Sequence, residues 1–146
     1  MAENRIFDPL RGKYVAMTPE EAVRQLFIRF LTQQREFPQS HMASEYSMEL
    51  NGLKRRADIV VFNRELKPVM IVECKSQDVN LLDAEVAQKT IRQALEYNSV
   101  MGVRVVVITN GSATFAFALD YSNGASAKML DSIPSYNNLC EENGAL

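Results

Sequence analysis

Val103 to Thr109 is a run of valine and isoleucine interrupted by Arg104 and closed by Thr109. A run that short and that apolar suits a strand buried on both faces. Two more runs have the same character. Val69-Met70-Ile71-Val72 closes on Glu73-Cys74-Lys75, and Ile59-Val60-Val61-Phe62 opens on Asp58. Such strands require a sheet covered on both sides, so helical segments must lie between or before them.

The chain supplies them. Thr18-Pro19-Glu20-Glu21 has the marks of a helix start: a threonine cap, proline at the first helical position and glutamate three residues after the cap. Val23, Leu26, Phe27, Phe30 and Leu31 follow at helical spacing, which predicts a helix from Pro19 to Gln34 with those residues buried. Residues 1–17 before it read as an arm. Glu45 to Leu50 alternates weakly, Asn51-Gly52 is a hairpin turn, and Arg55 to Phe62 returns as a strand. After the turn at 63–68 comes a third strand, Val69 to Lys75. Asp83 can cap a second helix that runs to about Val100 and ends at Gly102, with Val86, Ile91, Ala94 and Leu95 among its apolar positions. Asn110-Gly111 then turns the Val103–Thr109 strand into Thr114–Leu119. Helix, three strands, helix, two strands predict an α/β domain: a mixed central sheet flanked by helices. Residues 122–146 are rich in Ser, Asn, Gly and Ala and read as an irregular tail of a single domain spanning 1–146.

A net charge of −2 argues against a passive nucleic-acid binder, which would carry a basic excess. It weighs less against a metal-dependent enzyme, because acidic ligands depress the count until metal arrives. No apolar run approaches the ~20 residues of a membrane span, and the N-terminus lacks the character of a secretory signal. Cys74 and Cys140 are too few for a disulfide framework or a zinc site. The expectation is a cytoplasmic protein with no membrane partner.

Side chains alternate along a strand, so Glu73 and Lys75 point one way and Cys74 the other. An adjacent strand would bring Asp58 to the same spot. Two carboxylates and an amine are the minimum set for holding a divalent metal and activating water against a phosphodiester. Gln93 and Tyr97, four residues apart, share a helical face that either packs on the sheet or orients a substrate, with Gln88 a less regular candidate. Glu21 is either a capping-box residue or an extension of the acidic cluster. Glu45 is open between solvent and the same site. Arg56, two residues before Asp58, can contact a phosphate beside the metal. His41, the sole histidine, reads as a loop residue with no nucleophile motif. Gly12-Lys13 lacks the surroundings of a phosphate-binding loop.

Taken in order, Arg56-Ala57-Asp58-Ile59-Val60-Val61, Val72-Glu73-Cys74-Lys75 and Gln93-Ala94-Leu95-Glu96-Tyr97 resemble the PD-(D/E)XK nuclease superfamily. Met17-Thr18-Pro19-Glu20-Glu21 with Val23-Arg24-Gln25, and later Thr109-Asn110-Gly111, resemble the N-terminal nuclease domain of type I restriction enzyme R subunits. The resemblance runs from about Asp8 to Tyr136. It implies a restriction-endonuclease-like αβββαβ core and a Mg²⁺-dependent (or Mn²⁺-dependent) DNA endonuclease. Asp58 and Glu73 would hold the metal with help from the Cys74 backbone carbonyl, and Lys75 would position or activate water. Gln93 and Tyr97 would support the site on DNA. Ala57 stands where the superfamily name has proline. R subunits carry an ATP-driven translocase after this domain, so the resemblance implies DNA as partner and either a separate translocase or specificity/methylase subunit, or a free-standing relative. The other reading is a catalytically weak or inactive nuclease-fold module for DNA or protein binding.

Overall fold

The computed structural model describes residues 4–120, 126–141 and 146, with the side chains of 50 and 97–100 left aside. Strands β1 (Arg5–Asp8) and β2 (Lys13–Ala16) form a small antiparallel hairpin. Helix α1 (Pro19–Arg29) follows and passes into a π-helical turn, Phe30–Gln34. Then come β3 (Met42–Leu50), β4 (Leu53–Phe62), β5 (Pro68–Cys74), helix α2 (Ala84–Met101), β6 (Val105–Thr109), β7 (Thr114–Asp120), β8 (Ser126–Leu130) and helix α3 (Tyr136–Cys140).

The main sheet has six strands in the order β3-β4-β5-β6-β7-β8. Every pairing is antiparallel except β5–β6, whose parallel register requires the α2 crossover. The core of α1, β3, β4, β5, α2 and β6 is the restriction-endonuclease-like αβββαβ arrangement, a mixed sheet flanked by helices. On one face Val23, Phe27, Ile28 and Leu31 pack on Ile59, Val61, Val72 and Val107. On the other, Ala94 packs with Val60, Ile71 and Val106. Burial of β6 is complete, as its sequence requires.

Local chemistry sets the boundaries. Thr18 accepts the Glu21 N–H at 3.0 Å, and Asp83 accepts the N–H groups of Glu85 and Val86 at 3.0 and 3.3 Å. Asn51 and Gly52 both take positive φ, 50° and 79°, as a two-residue hairpin turn demands.

Three regions depart from expectation. The segment read as an N-terminal arm over 1–17 contains the β1–β2 hairpin, tied down by the fully buried Asp8. The tail expected to be irregular over 122–146 contains β8, which adds its backbone to β7, and α3. Ile133, Tyr136 and Leu139 anchor that region in the core, and the Tyr136 hydroxyl donates to the Phe62 carbonyl at 2.8 Å. Along α1, Leu26 and Phe30 are exposed, and the buried face instead carries Glu21, Arg24 and Gln25 beside Val23, Phe27 and Ile28.

Candidate active site

The site lies where β4 and β5 part. Their pairing ends at Ile59↔Val72, so Asp58 and Glu73 are the first residues beyond the shared ladder. The Cys74 N–H, past the last rung, donates instead to Asp58 Oδ2 at 2.8 Å. The carboxylate of Asp58 therefore sits in the fork between the strands and does not simply project from one face. It also departs from the expected alternation. Ala57 and Val60 pack on the α2 side and Ile59 on the α1 side, while Asp58 reaches Arg24 of α1. Asp58 therefore does not share the face of Val60. Opposite it, Glu45 has φ 53° and the β3–β4 ladder skips the pair, although Ser44↔Ile59 and Tyr46↔Ala57 form on either side. Such irregularities re-aim side chains.

Glu73 is 7% exposed and lies beside Asp58, while its Oε1 is buried without a hydrogen-bond partner. Burial, then the negative charge of Asp58, push its carboxyl up to about 9, and Lys75 pulls the other way. The amine of Lys75 is thus close enough to act on both Glu73 and Glu20, and its backbone N–H fixes the loop by donating to the Thr109 carbonyl at 2.8 Å. Cys74 is buried in the core on the α1 side, and burial raises its thiol well above the usual range. The cysteine side chain is packing.

Behind Asp58 runs a chain of alternating charges. Arg24 Nη2 bonds Asp58 Oδ1 at 2.7 Å and Glu45 Oε1 at 2.9 Å, and its Nη1 bonds Glu21 Oε1 at 2.7 Å. Glu21 also receives Arg11 at 2.6 Å and Gln25 at 3.2 Å. Arg11 in turn bonds Asp8, which further accepts Ser44 Oγ at 2.5 Å and the Leu10 N–H at 2.8 Å. Burial alone would raise Asp8, but these bonds and the Arg11 charge outweigh it and hold its carboxyl below the ordinary range. Arg24 likewise loses to burial and gains more from Asp58, Glu21 and Glu45, so its charge is permanent.

Residues 19–134 match the model of the type I restriction enzyme R protein N terminus (HSDR_N). The chain belongs to this family. No curated protein is significantly similar to it in sequence. Among solved structures, a fragment assigned as the HsdR subunit of a type I restriction enzyme from Vibrio vulnificus YJ016 is similar at TM-score 0.58 and 19% identity, covering 82% of this chain and 24% of that one. This HSDR_N chain therefore spans about a quarter of that fragment, and the likeness bears on fold. A protein assigned as a DUF820 nuclease from Anabaena variabilis ATCC 29413 follows at 0.45 and 14%, covering 96% and 93% of the two chains. The type IIG restriction endonuclease BpuSI stands at 0.41 and 19%, covering 84% and 15%.

Within this HSDR_N domain the sequence candidates fall into three groups. Asp58, Glu73 and Lys75 come together. Glu21 and Glu45 join them through Arg24, so the Glu21 carboxylate serves the acidic cluster while its backbone N–H serves the cap. Arg56 is exposed and bonds Glu45 Oε2 at 2.8 Å. Gln93 is exposed on α2 and does not pack on the sheet; Thr90 and Ala94 hold the buried positions there. The Tyr97 side chain lies outside the described residues. His41 bonds Ser40 and stands edge-on to Tyr136. Sequence reasoning missed Arg24, Glu20, Arg11 and Asp8. Glu20, raised by desolvation and then by Asp58, lies in the field of the same cluster. A signal existed for Arg24: Glu21, Arg24, Gln25 and Ile28 recur at helical spacing, marking a partly polar buried face.

The donor set suits a small hard cation. Among the described residues no three His, Cys, Asp or Glu side chains form a ready-made cage, but magnesium is characteristically held by one or two carboxylates with water completing its shell. A buried carboxylate oxygen without a partner, next to a second carboxylate, is the arrangement a cation would relieve.

Proposed function

We propose that this chain is the nuclease domain of an R-subunit-type restriction enzyme, hydrolysing DNA phosphodiester bonds with Mg²⁺ or Mn²⁺. The observation that carries the reading is the pairing of half-buried Asp58 with buried Glu73, with Glu73 Oε1 unpartnered and Lys75 beside it. Asp58 and Glu73 would hold the ion, with the Cys74 carbonyl completing the protein's share. When bound, the ion would supply Lewis acidity to the scissile phosphate and lower the pKa of an attacking water. Lys75 stabilises the charge that develops on the phosphate oxygens and helps to orient the water. Exposed Arg56 is available to a neighbouring DNA phosphate, and exposed Gln93 is available to DNA from α2. DNA is the substrate, and a translocase or specificity/methylase subunit is the partner that would deliver it. Among the described residues no helix is long and apolar enough to cross a membrane.

The test is cleavage of linear, nicked, branched and single-stranded DNA with Mg²⁺ or Mn²⁺. Wild type should cut at least one of these, and Asp58→Ala should not. Lys75→Ala should keep its metal while cleavage falls by about 10²-fold or more, because the lysine acts where charge develops. Unaltered cleavage in a folded Asp58→Ala protein would remove the reading.

A further inference from the structure

The chemistry above makes no use of Arg24, yet its guanidinium is bonded directly to the carboxylate that would hold the metal. Arg24 is 4% exposed and lies 2.7 Å from Asp58 Oδ1, with its remaining bonds to Glu21 at 2.7 Å and Glu45 at 2.9 Å. Its Nε is buried without a partner, so the side chain is not placed to satisfy all of its own donors. What the placement does satisfy is charge: one permanent cation meets three carboxylates drawn from α1, β3 and β4. The two flanking carboxylates are themselves held, Glu21 by Arg11 at 2.6 Å and Glu45 by Arg56 at 2.8 Å. Arg24 therefore cannot withdraw far from Asp58 without breaking bonds to both anchors.

A divalent ion on Asp58 would lie within a few ångström of this guanidinium. Repulsion between them scales with the product of the charges and is felt most where water is excluded. Glu73, on the other side of Asp58, still has its buried Oε1 free of any hydrogen bond. The cation-holding capacity of the pair is thus filled on the helix side and left open on the strand side.

We propose that Arg24 is an internal cation that competes with the divalent ion for Asp58 and thereby keeps the intrinsic metal affinity of the site low. The inference rests on the metal-dependent reading above and adds the residue that tunes it. The opposite role, an outer support that orients Asp58 and tightens binding as neighbours of metal ligands often do, predicts the opposite sign.

The experiment is a Mn²⁺ titration of the whole chain without DNA, reading free ion by electron paramagnetic resonance, on wild type, Arg24→Gln, Arg24→Lys and Glu45→Gln. Arg24→Gln leaves Glu21 its bonds from Arg11 and Gln25, which favours folding. It should bind Mn²⁺ at least tenfold more tightly than wild type, while Arg24→Lys, which keeps the charge, should stay within a factor of about three. Glu45→Gln removes a negative charge beside the pair and should weaken binding whichever role Arg24 has, so it gauges the effect of charge loss alone. Unchanged or weaker binding in an Arg24→Gln protein with a native circular dichroism spectrum overturns the proposal. Should that variant fail to fold, Arg24→Met, which keeps the length of the side chain without its charge, is titrated in the same way and decides, and unchanged or weaker binding overturns the proposal. Saturable binding in wild type with no response to Arg24 sinks this inference alone. No saturable binding in any folded variant sinks the metal-dependent reading with it.

Discussion

Glu73 carries the largest electrostatic strain of the site. Its carboxyl titrates at about 9 in the fold, raised by burial and then by Asp58, against an ordinary value of 4.5. Below the ordinary value both folded and unfolded chains hold the proton, so this group adds no pH dependence there. Between the two values the unfolded chain releases a proton that the fold retains, and stability falls as pH rises. Above the folded value both states are ionised and the cost levels off. Glu73→Gln keeps the shape and removes the titration. In EDTA at pH 8 the variant should therefore melt above wild type, by up to about 10 °C, with the difference shrinking toward pH 5. Calorimetry across that range checks it. A constant difference at every pH would mean that Glu73 is ionised in the fold throughout.

At the scale of elements, the fork of β4 and β5 presents the carboxylates, and α1 supports them with a polar stripe where an apolar one was expected. The β1–β2 hairpin supports that stripe in turn, through Asp8 and Arg11. Asp8→Ala would leave Arg11, Ser44 Oγ and the Leu10 N–H short of an acceptor at a fully buried position. Removing one partner of a buried ion pair costs about 3–5 kcal/mol, and urea unfolding should show a loss of that order. A loss below about 1 kcal/mol would be the behaviour of a solvated surface pair. This dependence on distant partners explains what the sequence left hidden. The strands, α2 and their turns were legible because their causes are local: apolar runs, an Asn51-Gly52 turn, an Asp83 cap. The common direction of Glu73 and Lys75 was legible in strand spacing, whereas the place of Asp58 depends on the break in the β3–β4 ladder opposite Glu45, which spacing does not reveal. Arg24 is buried only because carboxylates from β3 and β4 meet it, 21 and 34 positions along the chain. Leu26 and Phe30, apolar at the right spacing, instead line an open cleft of about 500 Å³ between α1 and the β6–β8 side of the sheet. Short β1, β2 and β8 lack alternation, and α3 is anchored by long-range contacts such as Tyr136 to Phe62.

For the whole molecule the question is whether metal holds the fold or only the reaction. The core packs on both faces of the sheet through aliphatic residues that need no ion: Ile59, Val61 and Val72 toward α1, Val60, Ile71 and Val106 toward α2. Among the described residues no cluster of His, Cys, Asp or Glu forms a structural cage, and the carboxylate pair lies at the end of the ladder, away from its centre. A structural zinc domain unfolds when its metal is removed, because binding energy is folding energy there. Here the ion should contribute only by mass action: tenfold over its dissociation constant, it adds about 1.4 kcal/mol, a rise of ~3–6 °C in melting temperature. A chelator should therefore abolish cleavage while the far-ultraviolet circular dichroism spectrum is unchanged and the melting temperature falls by no more than that. Activity should return on adding back Mg²⁺ or Mn²⁺, with no refolding step. Unfolding in the chelator would make the metal a structural element, and the apolar core described here would not account for the stability of the sheet.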